Sequence, residues 1–274
     1  IASAVPVGAG LSSSAALECA VAAALSDLAG LDLLADDTGR ARLADLCRVA
    51  ENEIAGAPTG GMDQSAAMLC RPGHALRLDC RSGETTHIPF DLAAHGLTLL
   101  VIDTKAHHAL VDGQYAARRH TCEASARTLG VDTLREVTPA DLPAALDRLG
   151  EPVAQARVRH VVTEIARVDA FVDALRGADF TTAGWLMSAS HASLRDDYEV
   201  SCAELDLAAA TALREGALGA RMTGGGFGGC CIALVERDRA DAVGAAVVSA
   251  FRERGWRDPT PFTVTAARGA GRER

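Results

Sequence analysis

Lysine is almost missing from this chain of 274 residues: of its 27 basic side chains only Lys105 is a lysine. The remainder are arginine, read here as a mark of GC-rich coding rather than of function. Aromatic residues are scarce as well, at 4%, so any core has to be assembled mainly from Ala, Val and Leu. An excess of positive charge is lacking too. The formal net charge of −9 excludes nucleic acid as the main partner, because a binder of phosphate backbones needs a concentrated basic face. No apolar run is long enough to span a bilayer, and no signal-peptide pattern is present. The eight cysteines, at 19, 47, 70, 80, 122, 202, 230 and 231, form no CxxC pair and have no histidines at zinc spacing. That scatter predicts reduced thiols in a cytoplasm. An initiator methionine is also absent: "IASAVPVG" reads as the tail of a strand already in progress.

What is present is the composition of a globular protein, 49% hydrophobic and 23% charged, at a length that allows one large or two modest domains. Helical spacing of apolar residues predicts helices over Ser12–Leu28 and 37–54, then a short one over "MDQSAAMLC". Three strand-like runs follow, "HALRLDC", "ETTHIPF" and "LTLLVIDT", the first two joined by "RSG" as in a hairpin. Helices dominate the next hundred residues, through "QYAARRHTCEASARTLG", Val153–Leu175 and Thr181–Ser193. The chain then returns to strands in "LGARMT" and "CCIALVE", a helix over Asp238–Arg254 and a last strand in "PFTVTAA". This ending suits an α+β domain. The division is expected near 105–114, giving domains 1–108 and 109–274.

Three glycine-bearing loops stand out. "VPVGAGLSSSAALE" (5–18) has no Gly-Lys-Ser/Thr ending, and Ser13 occupies the third glycine position of a dinucleotide fingerprint, so it is neither a Walker A nor a Rossmann loop. Gly8 and Gly10 allow close backbone approach. Ser12, Ser13 and Ser14 stand at a helix start, where they can cap the helix, donate to a phosphate or ligate magnesium. The loop is thus either an anion site or a tight turn with a serine cap. In "AENEIAGAPTGGMDQ", Glu51 lies near a helix end and Asp63 at the start of the next helix. Phosphoryl transfer to an alcohol needs that division, an acidic metal ligand and a carboxylate near the attacking hydroxyl; Asp63 could equally be a helix cap. In "RMTGGGFGG" (221–229), adjacent glycines are costly in backbone entropy, which fits close approach by a ligand or else a loose hairpin.

Taken together, the loops resemble those of the GHMP small-molecule kinases: "PVGAGLSSSAA" is similar to that family's phosphate-binding motif and "MTGGGFGG" to its C-terminal glycine motif. "GMDQ", "GHALRLDCRS", "YAARRHTCE" and above all "SHASLRDDYEVSCAELD" (190–206) resemble the galactokinase branch. The resemblance runs from Val5 to about residue 265. It implies a two-domain GHMP kinase fold, with an incomplete N-terminal α/β domain and a C-terminal ferredoxin-like α+β domain. It implies transfer of phosphate from ATP to the anomeric hydroxyl of galactose. Gly8, Gly10, Leu11, Ser12 and Ser13 would cradle the ATP phosphates, and Ser14 with Glu51 would hold Mg2+. Asp63 would act on the sugar hydroxyl, Gly60 and Tyr115 would line the sugar, and Gly224, Gly225 and Gly226 would bind the nucleotide. "SLRDDYEVS" is read as ordering the site, His107 and His108 as structural or solvated, and Cys230 and Cys231 as small core residues. The partners implied are small molecules, in a cytoplasmic monomer.

One departure accompanies the match. Galactokinases carry a sugar-recognition motif ahead of the phosphate loop, with an arginine, a Glu-His pair and an aspartate, and this sequence has no counterpart to it. The expectation is therefore a chain lacking an N-terminal portion, inactive and poorly stable by itself. Two alternatives stay open: another sugar kinase of the family, for N-acetylgalactosamine or arabinose, or a galactokinase-like sensor without catalysis. The intact serines and Asp63 favour an enzyme.

Overall fold

Small and apolar side chains at helical spacing wind Ser13–Leu28 into α1 and Asp37–Val49 into α2. Asp36 caps α2, its carboxylate accepting from Gly39 N–H at 2.8 Å. The structure is a computed structural model that describes residues 2–56, 59–106 and 111–272. By packing it divides into two units, residues 1–96 with 264–274, and residues 97–263.

In the first unit α2 does not run on to residue 54 as an α-helix. It passes into a π turn, Ala50–Ile54, with Ala55 N–H bonded to Ala50 C=O at 3.2 Å. Helix α3, Met62–Leu69, follows, and then strands β1, His74–Leu78, and β2, Thr85–Pro89. These two pair antiparallel from His74 opposite Pro89 to Leu78 opposite Thr85. Asp79 closes their turn by accepting from Arg81 N–H at 2.9 Å. Cys19, Leu43, Ala44, Cys47, Met68 and Leu69 form the core between the three helices. The C-terminal residues return to this unit: Gly269 and Ala270 N–H bond to Cys70 and Ala67 C=O at 2.8 and 2.7 Å. Arg40 ties the layers by donating to the carbonyls of Leu34, Met68 and Ala270. The far side of α1 presents Leu17, Val21, Leu25 and Leu28 exposed, a stripe at helical spacing.

The second unit is built on a sheet of order β4-β5-β3-β6: Gly219–Met222, Cys230–Glu236, Leu97–Asp103 and Thr260–Val264. The sequence reading groups residues 97–103 with the preceding hairpin and divides the chain at 108/109. In the structure β3 instead pairs along its whole length with β5, from Leu97 opposite Glu236 to Asp103 opposite Cys230, so the division by packing falls at 96/97. The physical reason is burial. All of β3 except Leu99 is buried, and such a strand needs neighbours on both edges. Cys230 and Cys231 are fully buried in β5, as small core residues, and all eight cysteines are free thiols.

Helices α8 (Ala203–Arg214) and α9 (Ala240–Glu253) pack against the sheet through Leu205, Ala208, Ala212, Val243, Val247 and Phe251. Helices α4 (Val111–Leu129), α5 (Leu142–Leu149) and α6 (Pro152–Arg176) enclose a second cluster around Leu129, Val158 and Val162. Helix α7, Phe180–Asp196, lies on β4 at a contact only glycine allows: a Cβ on Gly184 would sit 2.3 Å from Leu218 O, and one on Gly219 2.0 Å from Gly184 O. The result is a mixed α+β architecture. Among the described residues no helix is long and apolar enough to cross a membrane.

Candidate active site

In the first unit the phosphate-type loop turns through positive φ at Gly8 (75°), Gly10 (70°) and Ser12 (58°). Ser12 is the residue before α1, but its side chain makes no capping bond. The capped-turn reading therefore does not describe the loop, and the first N–H groups of α1 are not taken by the Ser12 hydroxyl. Ser12 holds a left-handed conformation that costs a non-glycine residue of order 1–3 kcal/mol, the kind of local strain that clusters at ligand clamps.

At the second position of α1, Ser14 donates from Oγ to Glu51 Oε1 at 2.6 Å. Glu51 is buried, at 9% exposure. Its other oxygen, Oε2, accepts from Gln64 Nε2, and the same nitrogen lies 3.4 Å from Glu18 Oε2. Burial pushes the Glu18 carboxyl up from its ordinary range and the Glu51 charge adds to it, while the Gln64 hydrogen bond opposes both. Glu51 and Gln64 come from the π turn and from α3. Asn52 holds the backbone of Thr59, its Oδ1 accepting from Thr59 N–H at 2.6 Å and its Nδ2 donating to Thr59 C=O at 3.3 Å.

Asp63 is half-buried in the first turn of α3. The cap position there is Gly61, so Asp63 is not the helix cap. It stands beside Gln64 in the chain, at the end of α3 where the helix dipole is positive. Gly60 precedes it with open space where a Cβ would lie.

Ser14 and Glu51 bring two hard oxygen donors together, which suits magnesium. Among the described residues no group of three or more His, Cys, Asp and Glu could hold a metal ion. Two protein ligands without a cage is the pattern of a magnesium completed by substrate phosphates, so the residues fit that ion.

In the second unit Gly224, Gly225 and Gly226 lie in the connection between β4 and β5. The loop is moulded on the segment 197–200: Phe227 N–H bonds to Val200 C=O at 2.7 Å, and a Cβ on Gly226 would fall 2.2 Å from that oxygen. Arg118 of α4 supports both partners. It donates to the carbonyls of Tyr198 and Glu199 at 3.3 and 2.8 Å, and its guanidinium lies 5.3 Å from the centre of the Phe227 ring. Thr104 secures the loop's far end, donating from Oγ1 to Gly229 C=O at 2.6 Å. The "SLRDDYEVS" string therefore gives the glycine loop its seat. The side chain of Tyr115, and His107 and His108, lie outside the described residues.

The structure thus brings Ser14 and Glu51 into contact and adds Glu18, Asn52 and Gln64, three residues the sequence reading does not single out. Gln64 was signalled by its place inside "GMDQ", and Asn52 by its place beside Glu51; Glu18 sits one turn beyond Ser14 without any motif of its own.

Comparison with known proteins matches both ends of the chain. The pattern of the GHMP kinases N terminal domain matches residues 1–71 and that of the GHMP kinases C terminal domain residues 171–253. The chain is 52% identical over 273 residues to the galactokinase of Streptomyces coelicolor, covering 99% of this chain and 69% of that protein. It is 46% identical over 270 residues to the galactokinase of Mycobacterium tuberculosis, covering 98% and 73%. The crystal structure of Lactococcus lactis galactokinase complexed with galactose superposes with a TM-score of 0.89 at 33% identity, over 97% of this chain and 68% of that one. With both halves of the fold, the loops and the relatives in agreement, the chain belongs to the galactokinases of the GHMP kinase family.

Proposed function

We propose that this protein phosphorylates the anomeric hydroxyl of galactose with ATP, giving galactose 1-phosphate and ADP. The observation that carries the reading is the 2.6 Å contact of Ser14 with Glu51 beside the start of α1, in a chain that belongs to the galactokinases. Backbone N–H groups around Gly8, Gly10, Leu11, Ser12 and Ser13, with the positive end of α1, supply donors for the ATP phosphates. Ser14 and Glu51 would hold Mg2+, which when bound neutralises charge on the β- and γ-phosphates. In the second unit Gly224, Gly225 and Gly226 are assigned to nucleotide binding. Gly60 and Tyr115 are assigned to the sugar.

Asp63 orients the anomeric hydroxyl and accepts its proton as the sugar oxygen attacks the γ-phosphorus. The new bond is sugar oxygen to phosphorus; the bond from phosphorus to the β–γ bridging oxygen breaks, and ADP leaves with that electron pair. Positioning and charge stabilisation carry most of such a transfer. The working form is proposed as a cytoplasmic monomer acting on small molecules.

Asp63→Asn and Asp63→Ala, made in the full-length protein, test the assignment. Turnover should fall by about 100-fold to 10,000-fold while ATP binding, measured calorimetrically, stays within a factor of two of wild type. Asp63→Ala with most of its activity would remove Asp63 from the chemistry.

A further inference from the structure

Gln64 is fully buried, and its amide nitrogen is shared between two carboxylates, Glu51 and Glu18. That arrangement fixes the sense of the amide, because turning it over would set its oxygen against two carboxylate oxygens. The cost is visible on the other side, where Gln64 Oε1 is buried with no hydrogen-bond partner among the described residues. A polar atom left unpaired in the interior is destabilising, so the side chain is held for what its nitrogen does.

We infer that Gln64 is a positioning residue for the magnesium carboxylate: it tethers Glu51 Oε2 and thereby turns Oε1 toward the Ser14 hydroxyl and the ion. The amide hydrogens also separate two acids, Glu18 and Glu51, that would otherwise repel one another across a half-buried space. A glutamine does this where a lysine could not, since it quenches no charge and leaves Glu51 its full attraction for a cation. Partners of this kind, which orient a ligand without touching the metal, typically change metal affinity by about 10-fold to 100-fold when removed. The inference rests on the assignment of Ser14 and Glu51 to Mg2+.

The test is the affinity for a non-hydrolysable ATP analogue, measured calorimetrically with and without MgCl2, in wild type, Gln64→Met, Gln64→Leu and Glu51→Gln. Gln64→Met keeps the length of the side chain and removes the donor. The metal-dependent gain in affinity should shrink by roughly tenfold, with metal-free affinity unchanged. Gln64→Leu, which also lacks the donor and adds no charge, should act in the same direction and decides the matter if the methionine variant does not fold. The inference falls if both Gln64 variants keep the full metal-dependent gain while Glu51→Gln loses it. It also falls if affinity drops equally with and without metal, the mark of a packing role. If Glu51→Gln itself keeps the gain, the metal assignment is what fails.

Discussion

Asn52 holds the backbone of Thr59 on both sides of its Cα, its amide oxygen taking the N–H at 2.6 Å and its amide nitrogen reaching the C=O at 3.3 Å. One side chain thus stands in for a strand partner and sets the path of the chain into Gly60, Gly61 and Asp63. Asn52→Ala should lower stability by about 1–2 kcal/mol, the loss of two such bonds. It should also cut kcat by about tenfold, because small misplacements of a reacting group are costly. The KM for ATP should stay put, since the phosphate loop is a separate segment. Denaturant melts and steady-state kinetics on the same preparation check both halves, and an unchanged kcat would show that Asp63 is placed by other contacts.

Gly225 and Gly226 are adjacent and should behave oppositely. Gly226 has φ +87° and a Cβ there would meet Val200 O at 2.2 Å, so Gly226→Ala should displace the loop and lower thermal stability. Gly225 has open space at its Cβ and no positive φ, so the fold itself does not require glycine there. Gly225→Ala should therefore melt like wild type yet raise the KM for ATP several-fold if the nucleotide approaches this backbone. A Gly225→Ala enzyme with wild-type KM would take that position out of the nucleotide site.

His160 gives the fold an acid limit. The ring is buried, stacked on Tyr198 with centroids 4.4 Å apart, and its Nδ1 lies 3.0 Å from Ser193 Oγ. Burial first, and then the charges of Arg167, Arg221 and Arg157, hold it down to about 4 against the pull of Asp197. With the folded value below the unfolded one, the folded state binds fewer protons. The contribution to stability is then complete above the unfolded value, about 6.5, and is lost as pH falls toward 4. The loss is on the order of 3 kcal/mol. Urea titrations at pH 7.5 and pH 4.5 should show it in wild type and not in His160→Phe.

Much of this was legible in the sequence because local patterns decided it. The period-3.6 spacing of α1 and α6, the alternation around "RSG" and the apolar run of β5 each carry their own signal. What was not legible depended on distant partners. Nothing in "LTLLVIDT" says that its neighbour is Cys230–Glu236 rather than the hairpin just before it, so the strand's place in the sheet could not be read locally. Likewise Ser14, Glu51 and Asp63 stand out by their loops, whereas Gln64 and Asn52 matter through hydrogen bonds to residues 13 and 7 positions away, which no local rule reports.

The π turn at Ala50–Ile54 is the trace that one inserted residue leaves in an α-helix, absorbed as a wider ring instead of a shift of everything downstream. Two neighbours in sequence, Glu51 and Asn52, are thereby put to separate uses, one toward Ser14 and one toward Thr59. Loss of a single codon here would let ordinary helix run through with its flanking turns unmoved, and Glu51 and Asn52 could no longer both keep their separate directions. The helix would survive intact, and one of the two contacts would be gone.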